Sequence, residues 1–259
     1  MDVIQGPHTQ CAGQIVDVAS DAAGKTYWES AWVNYRPQVY PGPIFDFHEL
    51  YRKYLPRNKQ MSCVEIGAMP GNHLVYFSEE FGYRVTGIDY CSDLTPIVKT
   101  MELNRIDNYS LINADVFTLP EGQLYDVVFS SGFVEHFEDY RGVVALHANM
   151  VKAGGYLLIT VPNTKYLHKF LMQMFCPNIY QIHRDYLMDR QVLCSIVEKL
   201  GFEVMHCNYL RTFRPFYPLP NAIGFGMRVV NKLLRLLRLD RIPNAFASPY
   251  LYLIAKKTL

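Results

Sequence analysis

Cys63-Val64-Glu65-Ile66-Gly67-Ala68-Met69-Pro70-Gly71-Asn72-His73-Leu74 is the stretch on which the fold turns. A short apolar run carries an acid near its end, two glycines bracket a tight loop, and a helical pattern begins at once with Leu74, Val75, Phe77 and Phe81. The reading is strand, loop, helix. Gly67 and Gly71 let the backbone turn sharply and approach a ligand closely, and the first N–H groups of the new helix point into the same space. A nucleotide-like ligand is expected there. Dinucleotide loops read G-x-G-x-x-G, whereas this loop has Met69 at the second glycine position and Asn72 at the third, which disfavours a hydride-transfer cofactor.

The pattern E-x-G-x-x-x-G over Glu65, Gly67 and Gly71 resembles motif I of the class I S-adenosylmethionine-dependent methyltransferases, departing from it at Met69. The resemblance implies that Glu65 supports the loop and that Gly67, Ala68, Gly71 and Asn72 line the amino-acid end of the cofactor. Downstream, Tyr83 to Asp89 reads as a strand ending in an acid, 22 positions beyond Gly67. That offset suits a carboxylate accepting hydrogen bonds from a ribose diol, with Tyr90 beside it. After a helix over about 93–105 and a strand over Tyr109–Asn113 come Asp115 and Val116. In the resembled family an acid followed by an apolar residue here holds the adenine, with Phe117 as a second wall.

Tyr125 to Phe129 reads as a buried strand, followed by Ser130-Ser131-Gly132-Phe133-Val134-Glu135-His136. Ligands of open α/β sheets bind at such carboxyl ends. The segment resembles the V-L-E-H string of methyltransferases related to the ubiquinone-biosynthesis enzymes, which implies that Ser131 and His136 border the transfer site. A helix with Val143, Leu146, Met150 and Val151, closed by Gly154 and Gly155, leads to a strand over Tyr156–Val161. Four strand–helix alternations argue a doubly wound parallel sheet. The resemblance, which covers about residues 61–211 and the last strand, extends this to a Rossmann-like α/β fold. It implies seven strands, mostly parallel with one antiparallel strand.

The remaining segments surround that core. Residues 1–24 show little periodicity and read as a flexible lead-in. Residues 25–56 form a helical cap whose Tyr27, Trp28, Trp32 and Tyr35 fall at roughly helical spacing, ahead of a second helical segment over Phe45–Tyr54. These four aromatics are either lid residues over the acceptor or packing residues. The core is expected over 61–211 and 248–257, with His183 in Ile182-His183-Arg184-Asp185, a segment similar to the family's next motif. Between them, 212–247 is an insertion. Its helical pattern Gly226–Leu239 gathers Arg228, Lys232, Arg235 and Arg238 on one side and Val230, Leu233, Leu234 and Leu237 on another. Such a basic amphipathic helix serves as a lid or homodimer contact, or touches an anionic membrane from one side.

Composition bounds the rest. The chain has 259 residues, half of them hydrophobic, and a net charge of +1, which suits one domain with additions and offers no global case for nucleic acid. Six scattered cysteines without a C-x-x-C pair read as free thiols, and the amino terminus lacks a secretory pattern. A cytoplasmic protein is expected, peripheral to a membrane if the basic helix meets one. No metal-ligand spacing stands out, so no metal is expected.

The expected chemistry is methyl transfer from S-adenosyl-L-methionine, leaving S-adenosyl-L-homocysteine, to a small-molecule acceptor. A hydroxyl acceptor needs a base, and His136 and His183 are the candidates. The aromatic segments suit a sugar or related metabolite. Methylation of a small amine is the rival, needing less base assistance. A non-catalytic cofactor-binding scaffold is the third reading, since Met69 stands where glycine is usual.

Overall fold

The computed structural model describes residues 8–11, 14–17, 23–42, 47–210, 217–237 and 243–259. Within the expected lead-in, β1 (His8–Cys11) and β2 (Gln14–Asp17) pair antiparallel as a small hairpin of their own. Two helices follow, α1 (Lys25–Trp32) and α2 (His48–Tyr54). Residues 45 and 46 of the expected second helical segment lie outside the described residues.

The core then alternates as β3 (Ser62–Ile66), α3 (Asn72–Phe81), β4 (Arg84–Asp89), α4 (Thr95–Leu103), β5 (Tyr109–Asn113), β6 (Tyr125–Ser131), α5 (Tyr140–Asn149) and β7 (Val151–Pro162). Four further helices and two strands complete it. These are α6 (Tyr166–Phe175), α7 (Pro177–Gln181), α8 (Arg190–Lys199), β8 (Phe202–Tyr209), α9 (Asn221–Leu236) and β9 (Tyr250–Lys257). The seven-stranded sheet runs β5-β4-β3-β6-β7-β9-β8. β3, β4, β5, β6 and β7 pair parallel, and β9 runs antiparallel to both β7 and β8.

Local sequence explains the central elements. β3 is apolar apart from one acid and is buried along nearly its whole length, as expected of a parallel strand covered on both faces. α3 starts from Gly71 at φ 95° and stops at Gly82 at φ 74°, whose N–H reaches back to the Phe77 and Ser78 carbonyls. Its inner face of Leu74, Val75, Phe77 and Phe81 packs with Tyr51 of α2 on one side of the sheet. Val143, Val144, Leu193 and Val197 of α5 and α8 cover the other side.

Two boundaries differ from the sequence reading. α5 ends at Asn149, and Val151, Gly154 and Gly155 belong to β7, whose register with β6 shifts between Tyr125 and Val127. A Cβ at Gly155 would lie 2.8 Å from the Asp126 carbonyl oxygen. The glycine therefore serves a close strand approach at an irregularity, not a helix stop. α9 begins at Asn221, five residues before the expected start, because Pro220 opens it and its carbonyl accepts the Gly224 N–H at 2.9 Å. Residues 238 and 239 lie outside the described residues. Since β9 is antiparallel to β8, the whole 210–249 excursion leaves and rejoins the sheet at the edge where β3, β4, β6 and β7 end.

Candidate active site

The loop after β3 is tied to the neighbouring strand. Gly67 and Ala68 donate their N–H groups to the Ile88 carbonyl at 2.9 and 3.1 Å, and the Met69 N–H donates to Asp89 Oδ2 at 3.0 Å. These amides hold the loop's shape. Gly67 sits at φ 73°, and a Cβ there would come within 2.8 Å of the Phe133 ring, so glycine is required on both counts. Asp89 is buried at the end of β4, and its Oδ1 accepts the Cys91 N–H at 3.0 Å. Each carboxylate oxygen thus carries one backbone donor and retains a lone pair for a ligand hydroxyl.

Glu65 lies behind this loop. Its Oε1 is 2.8 Å from His73 Nδ1, and burial raises its carboxyl pKa while His73 opposes the shift and Asp89 adds to it. Asp115 accepts the Phe117 N–H through Oδ1 at 3.0 Å, which orients the carboxylate and leaves Oδ2 for a further donor. Val116 and Phe117 follow it on the same wall of the cleft.

The segment after β6 brings in the histidines. The Ile182 carbonyl lies 2.7 Å from His136 Nδ1, so that nitrogen carries the proton and Nε2 holds the lone pair of the neutral ring. Nε2 is 3.6 Å from Oε1 of the buried Glu135. The His183 ring is centred 4.9 Å from that of His136, and its Nδ1 donates to the Ile179 carbonyl at 2.6 Å. Burial, with the neighbouring His136, lowers the His183 pKa to about 4.

α1 lies over the opening. Trp28 meets the His136 ring edge-on at 4.8 Å, with Tyr27 against Trp28 at 5.0 Å. Glu29 accepts the Ser92 N–H at 3.1 Å, and the Tyr35 hydroxyl donates to Asn72 Oδ1 at 2.9 Å.

The result is a cleft of about 320 Å³ at the carboxyl ends of β3, β4 and β6. Of the residues singled out in the sequence, Gly67, Asp89, Tyr90, Asp115, Val116, Ser131, His136, Trp28 and Trp32 border it. Glu65, Ala68, Gly71, Asn72 and His183 are not on the wall, and His183 packs against the His136 ring. Tyr27 and Tyr35 brace α1 from outside. The wall also contains Met69, Pro70, His73, Phe133 and Phe137. Of these, His73 was signalled by its place in the first turn of α3, whereas the phenylalanines follow β6 with nothing but apolarity to mark them.

The expectation of no metal rested on sequence spacing, and space alters it. One ligand atom each from Glu135, His136 and His183 lies within 4.8 Å of the others, a set able to hold a divalent ion. The third member arrives 47 positions after the second, which is why no spacing reveals it.

A family model described as "Methyltransferase domain" matches residues 40–207. The chain belongs to that family. Its relatives include the ubiquinone biosynthesis O-methyltransferase of Hydrogenovibrio crunogenus, 30% identical over 96 residues covering 36% of this chain and 39% of that protein. Another is phosphoethanolamine N-methyltransferase 2 of Caenorhabditis elegans, 25% identical over 171 residues, 63% of this chain and 37% of that protein. The chain thus spans under two-fifths of each curated relative. Among solved structures, geranyl diphosphate C-methyltransferase from Streptomyces coelicolor A3(2) shares the fold, with a TM-score of 0.60 at 12% identity, covering 93% of this chain and 99% of that one. The fold is that of the class I S-adenosylmethionine-dependent methyltransferases, with their seven-stranded sheet. The cleft fits the cofactor. Asp89 offers a fixed acceptor pair for a diol, Asp115 after the neighbouring β5 offers an acceptor for an amine beside the apolar Val116 and Phe117, and the glycine loop after β3 flanks Asp89 on its other side.

Proposed function

We propose that this methyltransferase transfers a methyl group from S-adenosylmethionine to a hydroxyl of a small molecule, a sugar or related metabolite. The cofactor supplies an already activated methyl group on its sulfonium, so the chain's task is alignment and proton handling. The observation that carries the reading is His136. It borders the cleft, the Ile182 carbonyl keeps its proton on Nδ1, and Nε2 is the ring nitrogen that would take the acceptor's proton. A proton gained there lies 3.6 Å from the Glu135 carboxylate, whose charge favours it. His183, neutral near pH 7 and off the wall, packs against the His136 ring. Asp89 and Asp115 would hold the ribose and adenine ends.

Trp28 and Trp32 on the wall support a second reading, methylation of a small amine, because aromatic faces attract ammonium groups. The two readings separate on one variant. In a screen of sugars, hydroxylated metabolites and amines followed by release of S-adenosylhomocysteine, His136→Ala should lower turnover of a hydroxyl acceptor by about a hundredfold or more. Its S-adenosylmethionine affinity, measured by calorimetry, should stay unchanged. Amine acceptors turned over equally by both proteins would replace the hydroxyl reading with the amine one.

A further inference from the structure

α9 belongs to the 210–249 excursion and lies outside the span matched by the family model. Both ends of the excursion are fastened to α6. On the way out, the Tyr217 hydroxyl meets His168 Nδ1 at 3.0 Å and Cys176 Sγ lies 2.9 Å from the Pro218 carbonyl. On the way back, His168 Nε2 donates to the Ala247 carbonyl at 3.0 Å, and the Phe246 ring stands 6.3 Å from Tyr166. α6 itself follows β7 directly. The two helices therefore share the sheet edge that carries the cleft.

Their outward faces are apolar. On α9, Phe225, Val229, Leu233 and Leu236 repeat at helical spacing and are 63%, 44%, 54% and 79% exposed, while Ile223, Met227 and Leu234 are only partly exposed. On α6, Tyr166, Phe170 and Met174 repeat every fourth residue and are all more than half exposed, while His168 and Met172 are buried. Here a run of large apolar side chains faces out, a surface of the kind that marks an interaction site.

The sequence of both segments is basic, with Lys169 of α6 paired to Asp185 at 3.3 Å. From residue 204 to 239 the chain holds Arg211, Arg214, Arg228, Lys232, Arg235 and Arg238 and no Asp or Glu, and no acid occurs from 140 to 184 either, the span that contains α6. An exposed apolar stripe on a cationic helix is the pattern of a helix lying in a bilayer interface. A two-fold contact between copies would instead bring two such basic segments together. No helix among the described residues is long and apolar enough to cross a membrane.

We infer that α9 and the outer face of α6 dock the protein on an anionic membrane surface, with the cleft edge of the sheet turned toward the bilayer. Docking of this kind brings the cleft beside acceptors that reside at the lipid surface. The inference does not depend on whether the acceptor is a hydroxyl or an amine.

The test is co-flotation of the full chain with vesicles of phosphatidylcholine alone and of phosphatidylcholine mixed with phosphatidylglycerol. Binding is expected to the mixed vesicles only, to weaken with added salt, and to fall more than about tenfold in Leu233→Asp/Leu236→Asp and in Phe170→Asp. These exposed positions leave the core intact, so S-adenosylmethionine affinity should be unchanged in each variant. Absence of binding by the unmodified protein, or equal binding by the variants, overturns the proposal. So does a dimer in sedimentation that Leu233→Asp/Leu236→Asp converts to monomer without any vesicle binding, which would make this face a self-interface.

Discussion

Asp89 shows what a single side chain does here. It offers two acceptor oxygens to the cleft, and it also fixes Met69 through one and Cys91 through the other. Asp89→Ala should weaken S-adenosylmethionine binding by on the order of 1–3 kcal/mol in calorimetry, and Asp89→Asn by less, since the amide oxygen still accepts. Unchanged affinity in the alanine variant would remove Asp89 from the site. The acids at strand ends were legible in the sequence because their chemistry recurs at a readable spacing. The residues around Gly67 were less so. A loop motif mixes residues on the cleft wall, such as Gly67, with residues off it, such as Glu65, Ala68, Gly71 and Asn72, and the sequence pattern does not separate the two. Met69 is a wall residue whose side chain packs against the core, a contact glycine would lack, while the N–H that anchors Asp89 is backbone and would be present with glycine as well.

Among the elements, α5 carries a titrating group inside the core. His147 is fully buried, its Nδ1 donates to the Val143 carbonyl at 2.8 Å, and burial lowers its pKa to about 4. The unfolded chain takes up that proton near pH 6.5 and the folded chain only near pH 4. Stability from the neutral ring is therefore present above about pH 6.5 and lost as the pH falls toward 4, on the order of 3 kcal/mol at the lower end. His183 acts in the same window and sense. Urea unfolding between pH 7 and pH 4 should show falling stability, with a shallower fall in His147→Leu. An identical slope in that variant would exclude His147 as a source. Element boundaries were legible where the glycine loop gives way to a helical pattern, as after Gly71. They were not legible at Gly154 and Gly155, because helix stops and strand irregularities use the same residue.

For the whole molecule, the strand–helix alternation made the parallel core legible, the number of strands and the antiparallel one came from resemblance, and the strand order was not legible, since periodicity carries no information about neighbours. Nor did the sequence show which side of α9 faces out, because that depends on where its two ends are fastened. α1 stands in a different relation to the body. None of its residues is buried, and it is held by Trp28 on His136 and Glu29 on Ser92 at the rim of the cleft. Few buried contacts make an element that opens at low cost, so α1 can admit a ligand while the core stays closed. The chain has two tryptophans, Trp28 and Trp32, and both border the cleft from this one helix. Its tryptophan fluorescence, excited on the red edge where the 19 tyrosines scarcely absorb, is therefore a built-in gauge of cleft occupancy. Titration with S-adenosylhomocysteine should change that emission with the same midpoint as the calorimetric binding curve. A silent signal during saturation would mean that α1 stands clear of the occupied part of the cleft.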